Sequence, residues 1–173
     1  MQLHFDGSTS VAGNRQRVYG LLTDPNFIAK NLPDAEGVRV IDASSLEGKM
    51  KVRIAVVSSR LSVRMSIIEK EPPTRATLVA DGSGSGSTVK IRSTFTLVGN
   101  GETRMEWSAD ADINGVMAGI GSTLLKGYAT KKVSEIFTGI TKAIEEQVSQ
   151  DTQRASPATW TTSPEDSAAG PSR

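Results

Sequence analysis

Residues 103–128, TRMEWSADADINGVMAGIGSTLLKGY, contain a change in the spacing of apolar side chains. Up to residue 112 apolar and polar residues alternate, which is typical of a β-strand with one buried face. Beyond Asn114, a candidate N-cap, the apolar residues fall at helical spacing. The segment 115–127 nevertheless contains four glycines, and each costs a helix interior about 1 kcal/mol relative to alanine. The stretch therefore predicts a strand that passes directly into a helix with a weakened start.

The helix is predicted to cover residues 116–148, because an apolar stripe continues that far. Its members are Ile113, Met117, Ile120, Leu124, Tyr128, Val133, Phe137, Ile140, Ile144 and Val148. At 1.5 Å per residue such a helix is roughly 50 Å long. A helix of that length needs a broad apolar surface on which to lie.

Six candidate strands between residues 38 and 112 provide that surface. They are VRVI, GKMKVRIAVV, LSVRMSIIEKE, ATLVADG, TVKIRSTFTLV and TRMEWSADADI. Turn signals at 58–60, 72–74, 82–87 and 99–101 separate them. Short connections between neighbouring strands predict an antiparallel meander with one covered face.

The N-terminal part predicts one more strand, over residues 2–11, and two short helices. Asn14 is the candidate cap of the first helix, and Asp24-Pro25 begins the second. The predicted fold class is α+β: a curved antiparallel sheet of about seven strands wrapped around a long C-terminal helix. Residues 1–149 are expected to form one domain, and residues 150–173, rich in Ser, Thr, Ala and Pro, a disordered tail.

Composition excludes several classes of function. The chain of 173 residues has a formal net charge of +1 and no cysteine. Nucleic acid is therefore not expected as a partner, and cysteine chemistry is excluded. The first ten residues lack the features of a signal peptide, and no apolar run is long enough to span a membrane. A cytoplasmic protein is the resulting expectation.

Several short motifs resemble known sites but fail at a required position. DADING begins like a calcium loop, yet its twelfth position is Gly121 instead of glutamate. GIGSTL resembles a dinucleotide fingerprint, but Leu124 replaces the third glycine and no strand follows. His4 is the single histidine, and no motif supplies a nucleophile with a base. We therefore predict no metal site and no catalytic residues.

Three stretches carry a resemblance to a known family. They are FDGSTSVAGNRQRVYGLLTDPNFIAKNLPDAEGV, the glycine-serine run 82–87, and INGVMAGIGSTLLKGYATKKVSEIFTGI. The order of elements resembles the START-like, helix-grip (SRPBCC) superfamily, and these stretches are similar to the CoxG family of carbon monoxide dehydrogenase subunits. The matching residues of the first stretch are Phe5, Gly7, Val18, Tyr19, Leu22, Asp24, Pro25, Leu32, Pro33 and Val38.

The resemblance implies a partner, and the residues themselves suggest a role. Family members carry no cofactor of their own, accompany molybdenum-containing carbon monoxide dehydrogenases or related hydroxylases, and are linked to recruitment of these enzymes to the cytoplasmic face of the membrane. Because an apolar space is expected between sheet and helix, no catalytic set is found and a tail follows the domain, the expected role is a non-enzymatic carrier of a long apolar ligand, such as a quinone, held non-covalently in that space. Candidate lining residues are Leu32, Val63, Met65, Phe95, Trp107, Met117, Ile120, Leu124 and Tyr128.

The glycines that begin the helix are the candidate entrance to this space. They are Gly115, Gly119 and Gly121. Two alternatives remain open: an enzyme on the same fold, a cyclase or hydratase with Tyr128 and Ser93 as a polar pair, and a docking module that acts through the tail. The feature that favours the docking module is Trp160, since a lone aromatic can anchor a segment on binding.

Overall fold

The computed structural model of the protein describes residues 1–99 and 101–155. In chain order the elements are β1 (Gln2–Val11), α1 (Arg15–Leu22), α2 (Pro25–Asn31), β2 (Ala35–Asp42), β3 (Ser45–Ile54), β4 (Val57–Glu71), β5 (Arg75–Gly84), β6 (Ser87–Val98), β7 (Thr103–Gly115), a 3-10 helix (Val116–Ile120) and α3 (Ser122–Ala155). The strands form one antiparallel sheet in the order β1-β7-β6-β5-β4-β3-β2. The predicted fold class is confirmed.

The two short helices begin at the predicted caps. The side chain of Asn14 accepts a hydrogen bond from the backbone N–H of Arg17 at 2.9 Å. The carboxylate of Asp24 accepts from the backbone N–H of Asn26 at 2.9 Å, and Pro25 occupies the first helical position. Each cap satisfies an N–H that the helix itself leaves unpaired.

The hairpins follow turn chemistry, with one correction. The glycine-serine run turns at Ser85 and Gly86, both at positive φ, between β5 and β6. The turn between β3 and β4 lies at residues 55–56, where Ala55 has a φ of 52°, and the prediction of a turn at 58–60 is wrong. Ser59 is a buried strand residue because it continues the alternation of β4 on the face that carries α3.

Helix α3 lies on one face of the sheet, here called the inner face, over two core clusters. The first cluster joins α1 and the later part of α3 to the sheet and includes Tyr19, Leu97, Met105 and Ile144. The second cluster surrounds the start of α3 and includes Leu3, Leu61, Ile113 and Leu125. Among the described residues, no helix is long and apolar enough to cross a membrane.

The start of the long helix differs from the prediction. Gly115 and Gly121 have φ angles of 83° and 102°, and the 3-10 helix lies between them. Asn114 remains in β7 opposite Thr88, so it does not cap the helix. In its place, the backbone N–H of Met117 donates to Ser87 Oγ at 3.0 Å. The α-helix therefore starts only at Ser122.

The end of the helix also differs from the prediction. Helix α3 continues to Ala155, past the predicted domain end at residue 149. Asp151 in this last part pairs with Arg17 of α1, which ties the helix end to the domain. The rest of the predicted tail, with Trp160, lies outside the described residues.

Candidate functional site

The middle of the inner face, between the two clusters, carries small or partly exposed side chains. Met65, Ala80 and Ile91 are cross-strand neighbours on β4, β5 and β6, and we call them the central row. Since directly paired residues point to one face of a sheet, Ile91 is directed to the same side as its buried partner Ala111, yet Ile91 is 37% exposed. Ile91 also borders a cavity of about 660 Å³ that is lined mainly by outer-face residues such as Lys90 and Arg92.

A cavity of about 670 Å³ adjoins the start of α3. We call it the hairpin cavity, because its sheet side is formed by the β3–β4 hairpin with Arg53 and Ser59. Its helix side carries Tyr128 and Lys132, and Ser85 of the β5–β6 hairpin completes the rim. Its lining combines the apolar Val52 and the Tyr128 ring with the charged pair of Asp34 and Lys132.

Lys132 connects α3 to the loop between α2 and β2. Its Nζ donates to Asp34 at 2.5 Å and to Glu135 at 3.0 Å. It also lies 5.8 Å from the centre of the Tyr128 ring, within the range of a cation–π contact. The hydrogen bonds to Asp34 and Glu135 raise the pKa of Lys132, so this lysine stays charged.

Tyr128 occupies the boundary between this cavity and the second cluster. Burial raises the pKa of Tyr128, although the charge of Lys132 and a hydrogen bond with the backbone of Arg53 act in the opposite direction. The phenol is therefore neutral at physiological pH and can donate one hydrogen bond.

A second cavity, of about 430 Å³, lies between edge strand β1 and α3, and we call it the edge cavity. Trp107 of β7 and Phe137 of α3 stack inside it, with ring centres 4.8 Å apart and an angle of 21° between the planes. A Cβ at Gly7 would lie 2.6 Å from the indole, so only glycine leaves room for this ring. The edge cavity is thus an aromatic cleft.

The predicted lining residues occupy different environments. Trp107 borders the edge cavity and Tyr128 the hairpin cavity, while Met65 belongs to the central row. The remaining members pack in the core or at its margin: Phe95 and Met117 are buried, and Leu32, Val63 and Ile120 are partly buried.

Leu124 is not on the buried face. Its side chain is 52% exposed, whereas that of Leu125 is 2% exposed and belongs to the second cluster. The 3-10 helix has 3.0 residues per turn instead of 3.6, and Gly121 then interrupts the backbone. Together these features shift the phase of α3, so that Leu125 takes the inward position predicted for Leu124.

The entrance glycines also divide into two kinds. A Cβ at Gly115 would lie 2.0 Å from the carbonyl oxygen of Gly86, so the β5–β6 hairpin already fills that space. A Cβ added at Gly119 or Gly121 would have no atom within 4 Å, so open space lies beside both. These two glycines remain the candidates for an opening.

The polar pair proposed for an enzyme is not brought together at one cavity. Ser93 Oγ donates to the carbonyl of Ser108 at 3.0 Å, and Ser93 does not line the hairpin cavity that Tyr128 borders. His4 lies on the outer face, where its ring is 2.6 Å from Asp110, and this hydrogen bond raises the pKa of His4. The described residues contain no group of side chains that could hold a metal ion.

Sequence reasoning missed the ion pair at the hairpin cavity. Asp34 of the loop before β2 and Lys132 of α3 both line this cavity and pair at 2.5 Å. No local pattern joins two positions that lie so far apart in the chain. Lys51 and Arg53 alternate with the apolar residues of β3, so their side chains are directed to the outer face, as the sequence pattern predicts.

The family model described as carbon monoxide dehydrogenase CoxG matches residues 7–145 of the chain. No curated protein sequence matches the chain. Among solved structures, a conserved protein from Geobacillus kaustophilus is similar at 23% identity with a TM-score of 0.75, covering 83% of this chain and 96% of that one.

Two further solved structures share the fold at lower identity. A START superfamily protein from Mycobacterium smegmatis is 15% identical with a TM-score of 0.59, covering 85% of this chain and 97% of that one. The Zhui aromatase/cyclase from a Streptomyces species is 14% identical with a TM-score of 0.59, covering 86% and 96%. At these identities the likeness concerns the fold alone.

Proposed function

This chain belongs to the CoxG family of carbon monoxide dehydrogenase subunits, and from this we propose that it is a non-enzymatic carrier serving a molybdenum-containing carbon monoxide dehydrogenase or a related hydroxylase. Its cargo is a long apolar ligand such as a quinone, bound without a covalent link. The carrier takes the ligand from the cytoplasmic face of the membrane and presents it to the enzyme.

The observation that carries this proposal is the central row. An apolar side chain of β6, Ile91, is 37% exposed on the face that α3 covers. Packed domains fill such positions, because an unfilled space loses contacts on every side. An apolar ligand over the central row would restore those contacts, and the stacked Trp107 and Phe137 would offer a flat surface to a planar ring.

Exposed apolar side chains at one end of the molecule support contact with a membrane surface. Val56 at the tip of the β3–β4 hairpin is 99% exposed, Val116 of the 3-10 helix 57%, and Leu124 of the first turn of α3 52%. All three belong to elements around the hairpin cavity or the second cluster. Apolar tips beside a basic residue such as Lys126 suit the boundary between headgroups and acyl chains.

The cargo can be tested by native mass spectrometry and lipid extraction of protein purified from its own host. We expect one apolar molecule per chain. For a direct titration, Trp160→Phe leaves Trp107 as the single tryptophan, and decylubiquinone should quench its fluorescence to saturation. Protein that carries no apolar molecule and shows no saturable quenching would contradict the proposal.

A matched pair of variants on β6 locates the ligand. Ile91→Phe fills space on the inner face, whereas Val98→Phe adds the same group at the half-exposed Val98 on the opposite phase of the strand. We expect the first variant to weaken quinone binding about tenfold or more, since it removes the space for the ligand, and the second to leave it unchanged. Equal changes of quinone affinity in the two variants would mean that the ligand does not lie over the central row.

The entrance can be tested by amide hydrogen exchange. Residues 115–121 are expected to exchange faster than residues 128–144, because the 3-10 helix has poorer hydrogen bonds than α3. Bound ligand should reduce the difference in exchange rate between these two segments. Equal protection of both segments, with and without ligand, would exclude an entrance at Gly119 and Gly121.

Docking by the C-terminal segment is tested by deleting residues 156–173. The deletion begins after α3 because Asp151 pairs with Arg17 within the domain. Loss of co-purification with the dehydrogenase, together with unchanged quinone binding, would assign the docking function to this segment, which contains Trp160. Retained co-purification would assign it to residues 1–155.

A further inference from the structure

Strand β1 lies at an edge of the sheet and leaves one side of its backbone unpaired. The backbone N–H of Ile113 in β7 donates to the carbonyl of Met1 at 2.8 Å, which makes these two residues a hydrogen-bonded pair. Because such pairs alternate along an antiparallel ladder, the odd-numbered residues of β1 direct their backbone groups to β7. The backbone groups of the even-numbered residues, from Gln2 to Ser10, point away from the sheet. Within the described residues, no hydrogen bond uses these edge groups.

This edge carries few of the features that protect a sheet edge from pairing. The other edge strand, β2, is interrupted by two register shifts, whereas β1 pairs with β7 from residue 2 to residue 11 without a shift. The sequence of β1, QLHFDGSTSV, contains no lysine, arginine or proline. Bulges, lysines and prolines are common means by which proteins block an edge. Strand β1 is therefore able to accept another strand.

The edge cavity lies beside this free edge and leaves room for another strand. Residues 4–9 of β1 all border the cavity, although successive side chains of a strand point to opposite faces. Only the backbone edge is common to consecutive residues. Gly7 is exposed, and since glycine has no side chain, this exposed surface belongs to the backbone. On the helix side of the cavity, Thr130, Ser134 and Thr138 are short side chains.

The outer side chains of β1 complement a second, antiparallel copy of the same strand. A two-fold axis through Phe5 places His4 opposite Asp6 of the second copy. It also places Gln2 opposite Ser8. The even-numbered pairs exchange about eight backbone hydrogen bonds, since each hydrogen-bonded pair forms two. An imidazole opposite a carboxylate stabilises the pairing, because opposite charges on directly paired residues attract.

The inner side chains fit the same register. Phe5 is partly buried and borders the edge cavity. On the axis it faces Phe5 of the second copy at a non-hydrogen-bonded position, where side chains are closest and aromatic pairs are stabilising. Leu3 lies opposite Gly7, which has no side chain, so these two residues do not crowd each other.

The neighbouring registers are less favourable. An axis through Asp6 places two carboxylates directly opposite each other, and like charges in this position destabilise a sheet. An axis through His4 does the same with two imidazoles, whose pKa is raised by Asp110. An axis through Gly7 brings no side chains together at its centre. The register through Phe5 is therefore favoured.

We propose that two copies of this chain pair through β1, antiparallel and with a two-fold axis at Phe5, and form one continuous sheet. In this dimer, Phe5 of each copy borders the edge cavity of the other, which also contains the stacked Trp107 and Phe137. The second copy thus completes the lining of the aromatic cleft. The inference goes beyond the carrier role and does not depend on the identity of a cargo.

The first test measures the mass of the full chain by size-exclusion chromatography with light scattering. The protein is loaded from about 1 µM to about 500 µM, the range in which small interfaces dissociate. We expect the mass to rise from 18.4 kDa, the mass of one chain, towards twice that value. The mass of one chain at every concentration would overturn the proposal.

A matched pair of proline variants locates the contact. Ser8→Pro and Ser10→Pro each remove an N–H that points off the free edge, so both leave the ladder with β7 intact. Only Ser8 lies within the overlap of the two copies. Ser8→Pro should weaken dimerisation about tenfold or more, because symmetry removes two backbone hydrogen bonds at once. Ser10→Pro should leave it unchanged.

The proline variants can also refute the proposal. Equal effects of the two substitutions, or no effect of Ser8→Pro, would exclude pairing through residues 2–8. Circular dichroism confirms that each variant is folded.

Single cysteines determine the register, because the chain contains no native cysteine. His4→Cys, Phe5→Cys and Asp6→Cys are compared with dissolved oxygen as the oxidant, and the disulfide-linked dimer is measured on non-reducing gels. Only a residue on the two-fold axis meets its own copy at the Cα distance of about 4–7 Å that a disulfide needs. Phe5→Cys should therefore crosslink fastest. Faster crosslinking at position 4 or 6 would overturn the register.

The same proteins separate this pairing from the carrier function. The mass measurement uses the chain without added ligand, whereas decylubiquinone quenching of Trp107 reports on the cargo. A chain that binds quinone but stays monomeric would refute the pairing and leave the carrier proposal standing. A dimer that Ser8→Pro disrupts, without quinone binding, would give the opposite result.

Discussion

Replacing Leu125 and Leu124 separately by alanine tests the phase of α3. Leu125 is 2% exposed within the second cluster, whereas its neighbour Leu124 is 52% exposed. Truncating a fully buried leucine removes its transfer free energy and leaves a cavity, so Leu125→Ala should lower the free energy of unfolding by about 2–5 kcal/mol. For the half-exposed Leu124 the expected loss is below about 1 kcal/mol.

Urea unfolding followed by circular dichroism at the helical band measures both variants against the parent chain. In thermal unfolding, Leu125→Ala should lower Tm by roughly 5–15 °C, since 1 kcal/mol corresponds to about 2–4 °C for a domain of this size. The Tm of Leu124→Ala should stay within about 3 °C of that of the parent chain. If Leu124→Ala lowered the free energy of unfolding as much as Leu125→Ala or more, Leu124 would face inward. Helix α3 would then continue the phase of Met117 directly, and a phase shift at Gly121 would be refuted.

Three further changes test separate features of the domain. Gly7→Ala places a methyl group 2.6 Å from the Trp107 indole, and should cost about 1–3 kcal/mol in urea unfolding and alter tryptophan fluorescence; an unchanged stability would show that the ring moves freely. The pKa of His4 should lie above its ordinary value of 6.5 in an NMR titration because of Asp110, and Asp110→Asn should remove the shift. Since the folded pKa is raised, this pair stabilises β1 below about pH 6.5 and loses that contribution as pH rises through the folded value. Gly121→Ala should lower the free energy of unfolding by about 1–3 kcal/mol, because φ 102° and ψ 149° suit glycine alone. An unchanged free energy of unfolding would mean that the backbone at residue 121 can relax.

The strands and caps were predictable because their signals are local. The alternation of β4 and β6 can be seen in consecutive residues. Each cap side chain accepts a hydrogen bond from a backbone N–H two or three positions further along the chain. The order of these elements, with short connections, leaves little choice other than an antiparallel meander under one long helix. Family membership followed from the same order of short stretches.

The turn of the β3–β4 hairpin was not predictable from composition. The run 58–60 contains turn-forming serines, but the ladder pairs Ile54 with Val57 and continues through Ser59. The burial of Ser59 reflects its place on the inner face, which depends on register across the whole sheet. Cross-strand pairing therefore overrode the local preference.

By itself, the sequence determined which segments are strands and helices, their order, and the family, since hydrophobic period and capping act over a few residues. The tertiary structure alone decided that Leu125 and not Leu124 faces inward, because the 3-10 helix and the backbone turn at Gly121 shift the phase of α3. It also decided that Asp34 and Lys132 pair at the hairpin cavity. Those positions are far apart in the chain, and only the packing of α3 across the sheet brings their charges together.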